Sequence, residues 1–220
     1  MCFYNYIGLN RTKDGMMIMR RLFIIVCFMT ACACMSAAED IKPVSFTKVH
    51  VNDRFWRQRL DVLRKRTIRY AFQKCTDAGQ IENFRLAGKI LSGEVRKGDV
   101  SYQSGTTYDD AEVYKVIEGA SYLLNVERDE ELEKYVDGVI DVICSAQEPD
   151  GYLFTNWTIG NPLHEWIGGE KWKNDWNLSH ETFDMGELIE AGVAYYQATG
   201  KDKLLNAAIR SADLICEVFN

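Results

Sequence analysis

From Asp109 the chain places apolar residues at Val113, Val116, Ile117, Ala120, Leu123 and Leu124, a spacing of three and four that lays one apolar stripe along a helix. Asp109 or Asp110 would cap that helix, with the other carboxylate solvated. A second stripe follows Asp129, through Leu132, Tyr135, Val136, Val139, Ile140, Ile143 and Ala146, and stops before Pro149-Asp150-Gly151. Two such helices joined by a short turn make a hairpin. The arrangement returns after a loop over 148–179, as a helix from about 180 to 198, a TGKD turn at 199–202 and a helix over 203–219. A shift of 73 residues superposes Tyr122 on Tyr195, Asp129 on Asp202, Leu132 on Leu205 and Val136 on Ile209, as an internal repeat of helix pairs requires.

Upstream, residues 53–75 suit an amphipathic helix with Trp56, Leu60, Leu63, Tyr70 and Phe72 as its apolar positions, and a further helix is expected over 80–92. Pro43 and the alternating VSFTKVHV (44–51) suggest a short β-strand or an extended arm before it. The fold class is therefore all-α, built of helical hairpin repeats. These pairs do not close a ring, and the last helix needs a neighbour for its apolar side, so the chain is expected to be truncated at its C-terminal end.

Composition changes the picture at the start of the chain. Arg20 and Arg21 precede the apolar run LFIIVCFMTACACM (22–35), which gives way to small residues and then Glu39-Asp40. That order predicts a signal peptide over residues 1–38, cleaved after Ala38, with processing as a lipoprotein at Cys32 as the alternative. The run is about 14 residues, short of the ~20 a bilayer-spanning helix needs, so no transmembrane segment is expected. The protein is expected to be exported, to the periplasm or cell surface.

Of the formal net charge of −6, residues 1–38 carry +3, so residues 39–220 carry −9. An acidic surface disfavours nucleic acid and anionic membranes. Cys75, Cys144 and Cys216 remain after the signal region, widely spaced and odd in number, which supports neither a disulfide framework nor a CxxC zinc pattern. They read as small buried hydrophobes.

Chemistry concentrates in the loops. The loop 148–179 holds Tyr152, Phe154, Trp157, Trp166, Trp172 and Trp176 with Asn156, Asn161, His164, Glu165 and Glu170. Aromatic faces beside fixed polar groups suit a sugar, and the same aromatics suit a satellite core under a long loop. In WNLSHETFDMGEL (176–188) Ser179 would be the N-cap, with Glu181 favoured in the first turn by the helix dipole. His180 and Asp184 stand four apart without the second histidine of an HExxH site, so zinc is disfavoured. Glu187 and Glu190 share a face with His180 and Asp184, while Glu181 points to the opposite side.

The stretches VHVNDRFWRQRLDVLRKRTI, IENFRLAG, YDDAEVYKVIEGASYLL, AQEPDGYLFTNW and WNLSHETFDMGELIEAGVAYYQATGKDKLL, in this order, resemble the N-terminal part of glycoside hydrolase family 127, the β-L-arabinofuranosidase group. The likeness runs from about residue 44 to 220. The resemblance implies an (α/α)6 barrel, incomplete in residues 39–220, followed by missing C-terminal helices and β-sandwich domains. It implies a retaining, exo-acting glycosidase on plant-derived glycans, with a carbohydrate as its partner. In that family the nucleophile is a zinc-held cysteine, and another glutamate is acid/base. Both belong to regions downstream of Asn220, so no metal is expected in this fragment, zinc being a cofactor of the longer protein.

The residues carried over are those of the sugar-facing rim: His180 as a donor to a sugar hydroxyl, the acidic helix start Asp109-Asp110, and Trp176. Glu187 departs from the family pattern, which has a second histidine there, and this leaves the identity of the sugar open. Two other readings stand beside it: a non-catalytic helical-repeat module binding carbohydrate or protein, and a different (α/α)-barrel sugar enzyme in which Asp109 or Asp110 does the proton chemistry.

Overall fold

The computed structural model describes residues 42–103, 105–160, 170–173 and 178–220. The signal region, with Cys32, lies outside the described residues, as do Asn161, His164, Glu165, Trp166 and Trp176. Ser45–Asn220 form one compact unit, to which everything below refers.

Seven helices make up this unit's described part: α1 (Arg54–Val62), α2 (Ile68–Asp77), α3 (Gln80–Leu91), α4 (Asp109–Val126), α5 (Glu130–Ser145), α6 (Glu181–Thr199) and α7 (Lys203–Val218). A π-turn over Leu63–Thr67 joins α1 to α2, so the expected helix over 53–75 is continuous but locally widened. The expected strand before it does not form among the described residues. A single 3-10 turn, Phe46–Lys48, interrupts an extended arm, with Ser45 Oγ accepting from Thr47 N. A lone strand has no ladder partner to satisfy its backbone, whereas Asn125 Nδ2 donates to Phe46 O and the Phe46 ring packs edge-on to Tyr122, holding the arm against α4.

The hairpins form as the pattern demands. Asp129 Oδ1 accepts from Leu132 N at 3.0 Å and caps α5, and Gly200, at φ 78°, closes α6. Between α4 and α5 the core collects Val113, Tyr114, Ile117, Ala120, Val136, Ile140 and Ile143; burial of each Val or Ile side chain is favourable by about 1.5–3 kcal/mol. Tyr135, in contrast, is 45% exposed on α5, with its ring edge against Phe72. The 73-residue repeat is present in the backbone: α5 and α7 have bounds 73 residues apart at both ends. Their side chains do not follow it. Val136 is fully buried while Ile209 is 47% exposed, and Tyr195 is buried where Tyr122 is not.

Helices α4 and α6 lie side by side and parallel, their N-terminal ends joined by a backbone-to-carboxylate bond described below. α7 packs antiparallel on α6, where Gly192 lets Leu204 and Ala208 approach; a Cβ there would come within 3.1 Å of Ala208 Cβ. The turn before the long loop is anchored on α7. Gly151 sits at φ 98° with a virtual Cβ only 2.4 Å from Arg210 O, so no side chain fits. Gln147 Nε2 reaches Gly151 O and Ala207 O beside it.

The α1–α2 segment is the least covered. Trp56 (56% exposed), Phe55, Leu63 and Tyr70 face outward, and the buried positions are Ile68, Phe72 and Cys75. Arg64 to Glu127 (2.8 Å) and Arg69 to Asp129 (3.0 Å) tie it to the α4–α5 turn.

Candidate functional site

The N-terminal ends of α4 and α6, with the loops before them, form a polar junction. A helix start presents unpaired N–H groups and a partial positive charge, which attract carboxylates. Four acidic side chains answer here, and none serves as a conventional N-cap.

Asp109, expected to cap α4 or be solvated, is buried at its first position. Its Oδ1 accepts from Gln80 Nε2 on α3 at 3.0 Å and its Oδ2 from Thr106 N at 2.9 Å. Asp110 is buried as well. Both its oxygens accept from Thr155, one from the backbone N–H at 2.7 Å and the other from the hydroxyl. Neither carboxylate is solvated, because each ties a separate segment to the helix start. Burial, with Asp109 adding repulsion, pushes the Asp110 carboxyl up to about 7, against the Thr155 hydrogen bonds.

The third carboxylate comes from the neighbouring helix. Asp184 Oδ1 accepts the first-turn N–H of Ala111 at 3.1 Å, so an orphan donor of α4 is capped from α6. Asp184 is fully buried, and its Oδ2 has no hydrogen-bond partner among the described residues. Burial first, then Asp110, raise this carboxyl well above the ordinary range. The helical spacing placed it on one face with His180, Glu187 and Glu190; its own side chain is enclosed rather than solvated.

The fourth, Glu181, is buried against the loop. It accepts from Tyr152 Oη, from Trp172 N at 2.9 Å and from Ser179 Oγ at 2.7 Å. The expectation of Ser179 as N-cap is thus corrected: its hydroxyl donates to a side chain, and the cap position belongs to His180, which makes no side-chain capping bond. Tyr152, Phe154 and Met185 form a small second core, with Trp157, Trp172, Leu214 and Ile215 packed on it. For these residues the aromatic loop is a satellite core.

His180 itself takes a left-handed backbone, φ 63°, a conformation costing roughly 1 kcal/mol or more outside glycine. Its Nδ1 lies 2.9 Å from Leu178 O and 2.9 Å from Thr107 Oγ1, and Thr107 Oγ1 donates to Leu178 O at 3.0 Å. Tyr108 and Phe183 flank the ring edge-on, with centroids at 5.6 and 6.0 Å. One turn further along α6 the surface continues through Phe183, over which Lys115 Nζ sits at 4.9 Å, to Glu187. Partial burial raises the Glu187 carboxyl, Lys115 opposes that, and Glu190, Glu118 and Glu112 reinforce it.

Carboxylate oxygens of Glu118, Glu187 and Glu190 lie within 4.8 Å of one another; His180 and Asp184 are not part of that group. Among the described residues, Cys75, Cys144 and Cys216 form no thiolate cluster. Burial pushes the Cys75 thiol up to about 11, and Cys144 is raised by the same cause. Cys216 is exposed, contrary to its expected burial.

The residues that spacing missed are Thr107 and Thr155, together with the burial of Asp184 and Glu181 and the bond from Tyr152 to Glu181. The 73-residue repeat contained one usable signal: Thr107 with His180, and Ala111 with Asp184, are equivalent positions of the two hairpins and bond to each other.

Comparison with known proteins agrees with this architecture. The family described as β-L-arabinofuranosidase, GH127 catalytic domain, matches residues 48–220. A non-reducing end β-L-arabinofuranosidase of Bifidobacterium longum subsp. longum is 30% identical over 178 residues, covering 76% of this chain and 27% of the relative. A solved GH127 β-arabinofuranosidase superposes with a TM-score of 0.70 at 47% identity, covering 80% of this chain and 27% of the other. A GH127 β-L-arabinofuranosidase from Geobacillus stearothermophilus T6 gives 0.66 at 39% identity, covering 76% and 25%. The chain thus spans about a quarter of the length of these relatives. With an all-α fold of helix pairs, a polar junction at the helix starts and a family match over most of its length, this chain belongs to the GH127 β-L-arabinofuranosidase catalytic-domain family.

Proposed function

We propose that this chain is the N-terminal part of a longer, exported β-L-arabinofuranosidase-like glycoside hydrolase, retaining and exo-acting on plant-derived glycans, and that the α4–α6 junction forms part of its sugar-facing rim. The observation that carries the rim assignment is the placement of His180, half-buried at the shared N-terminal end of two parallel helices and fixed through one ring nitrogen.

His180 would meet a sugar hydroxyl directly, and Glu187, one ridge further along α6, would shape which hydroxyls are accepted. Trp176 would offer an aromatic face to the ring. Asp109 and Asp110, enclosed by Thr106, Gln80 and Thr155, would act through the loops they hold. Cleavage itself is assigned to groups outside residues 1–220. A zinc-held nucleophile needs thiolates gathered in one place, and Cys75, Cys144 and Cys216 supply none, so no catalytic step is routed through them.

Hydrolysis of aryl glycosides by the protein encoded by the whole gene tests this reading. Release of the aryl group from a β-L-arabinofuranoside, in preference to its α-anomer and to an unsaturated glucuronide, supports it. Turnover of the glucuronide alone would favour the other (α/α)-barrel chemistry, and binding without turnover of any would favour a non-catalytic module.

A further inference from the structure

Three atoms at the helix starts constrain one another. Leu178 O, Thr107 Oγ1 and His180 Nδ1 form a triangle with sides of 2.9, 2.9 and 3.0 Å. A carbonyl oxygen can only accept, and a threonine hydroxyl has a single proton to give. If Nδ1 carried a lone pair, it would face the lone pairs of Leu178 O at 2.9 Å, and the Thr107 hydroxyl could satisfy only one of the two. If Nδ1 carries the proton, every contact is favourable: Nδ1–H donates to Leu178 O and Thr107 Oγ1, and Thr107 donates to Leu178 O.

Resting on the rim assignment above, we infer that Thr107 is a positioning residue that, with Leu178 O, locks neutral His180 as its Nδ1–H tautomer, so that Nε2 meets the sugar as a hydrogen-bond acceptor. On this inference His180 acts as an acceptor in place of the donor expected from the sequence: the neutral ring accepts a hydrogen bond from a sugar hydroxyl, and that hydroxyl keeps its oxygen lone pairs for other donors. The lock is rigid because its parts are. Thr107 is buried, Tyr108 and Phe183 flank the ring, and the residue before the helix is held by Ser179 Oγ donating to buried Glu181. It also comes from both repeats, since position 107 of the first hairpin corresponds to 180 of the second. Thr107 touches no reacting atom; its effect passes through the imidazole.

The test uses the protein encoded by the whole gene, labelled with 15N-histidine, with two-bond 1H–15N spectra recorded at about pH 8, where an ordinary imidazole is neutral. The His180 signals are those lost in His180→Gln. The expected pattern is a pyrrole-type Nδ1 and a pyridine-type Nε2. In Thr107→Val, which keeps the shape and removes the hydroxyl, Leu178 O still requires the proton on Nδ1, so the tautomer should persist while the ring loses its second anchor; Thr107→Ser should restore that anchor. With an aryl β-L-arabinofuranoside, Thr107→Val should raise KM about tenfold with a smaller change in kcat, and Thr107→Ser should stay within about twofold of the wild type. A pyrrole-type Nε2 in the wild type, or a Thr107→Val KM equal to wild type, overturns the inference. Should Thr107→Val fail to fold, the wild-type and serine spectra still decide. A His180→Ala variant with unchanged KM would overturn the sugar contact while leaving the tautomer result standing, which separates the two failures.

Discussion

The two hairpins α4–α5 and α6–α7 have the same backbone plan and different chemistry. α5 and α7 begin and end 73 residues apart, and the starts of α4 and α6 lie together. At equivalent places stand Thr107 and His180, a hydroxyl and an imidazole that bond to each other, and Ala111 and Asp184, a backbone N–H and the carboxylate that caps it. A repeat supplies the frame, and the divergence of the two copies supplies complementary groups. The same divergence separates their outer helices, since Val136 on α5 is enclosed and Ile209 on α7 is not.

The comparison breaks most severely at its anchor. Gly151→Ala places a Cβ against Arg210 O at a left-handed backbone position, and strain and overpacking together should cost about 3 kcal/mol, seen as a large fall in the thermal midpoint. The equivalent outer positions come next. Val136→Ala should cost about 2 kcal/mol, by emptying space between packed helices, and Ile209→Ala under about 0.5 kcal/mol. Equal costs, measured by denaturation of the whole protein, would show that a further neighbour covers α7.

The junction itself is probed by pH. Asp110, raised to about 7, and Asp184, also raised well above the ordinary range by burial, hold protons in the folded state that the unfolded chain releases near 4. The stability that these two carboxyls contribute is therefore fullest below about pH 4 and falls as pH rises towards 7, because they bind more protons in the folded state in that window. Asp184→Asn keeps an acceptor for Ala111 N and cannot ionise, so its thermal midpoint should match the wild type near pH 5 and exceed it near pH 8. A wild-type midpoint that is flat over this range would contradict the buried-acid assignment. The smallest effect belongs to the exposed pair Lys203–Asp141: Lys203→Ala should change stability by less than about 0.5 kcal/mol.

Much of the frame was legible in the chain. The stripes at Val113–Leu124 and Leu132–Ile143, the helix start after Asp129 and the Pro149-Asp150-Gly151 turn follow from local chemistry, and they formed as expected. What spacing could not show were features decided by tertiary contact. Tyr70 and Trp56 look apolar on a helical wheel but face outward, because what covers a face is not written in its own period. Glu181 looked like a first-turn charge and proved to be a buried acceptor, because its donors, Tyr152 and Trp172, lie in a loop that returns only in three dimensions. His180 could be singled out by its position beside the helix start, and by resemblance, but its left-handed backbone and its bond to Thr107 required the second hairpin to be in place.

The account turns on whether the shared helix start faces the sugar. The direct measurement is kcat/KM of the protein encoded by the whole gene on an aryl β-L-arabinofuranoside, for the wild type, His180→Ala and, as a distant control, Lys203→Ala. Loss of one well-made polar contact of about 2–3 kcal/mol predicts a fall on the order of 50-fold for His180→Ala and no change for the control. A His180→Ala enzyme within about twofold of the wild type would contradict it.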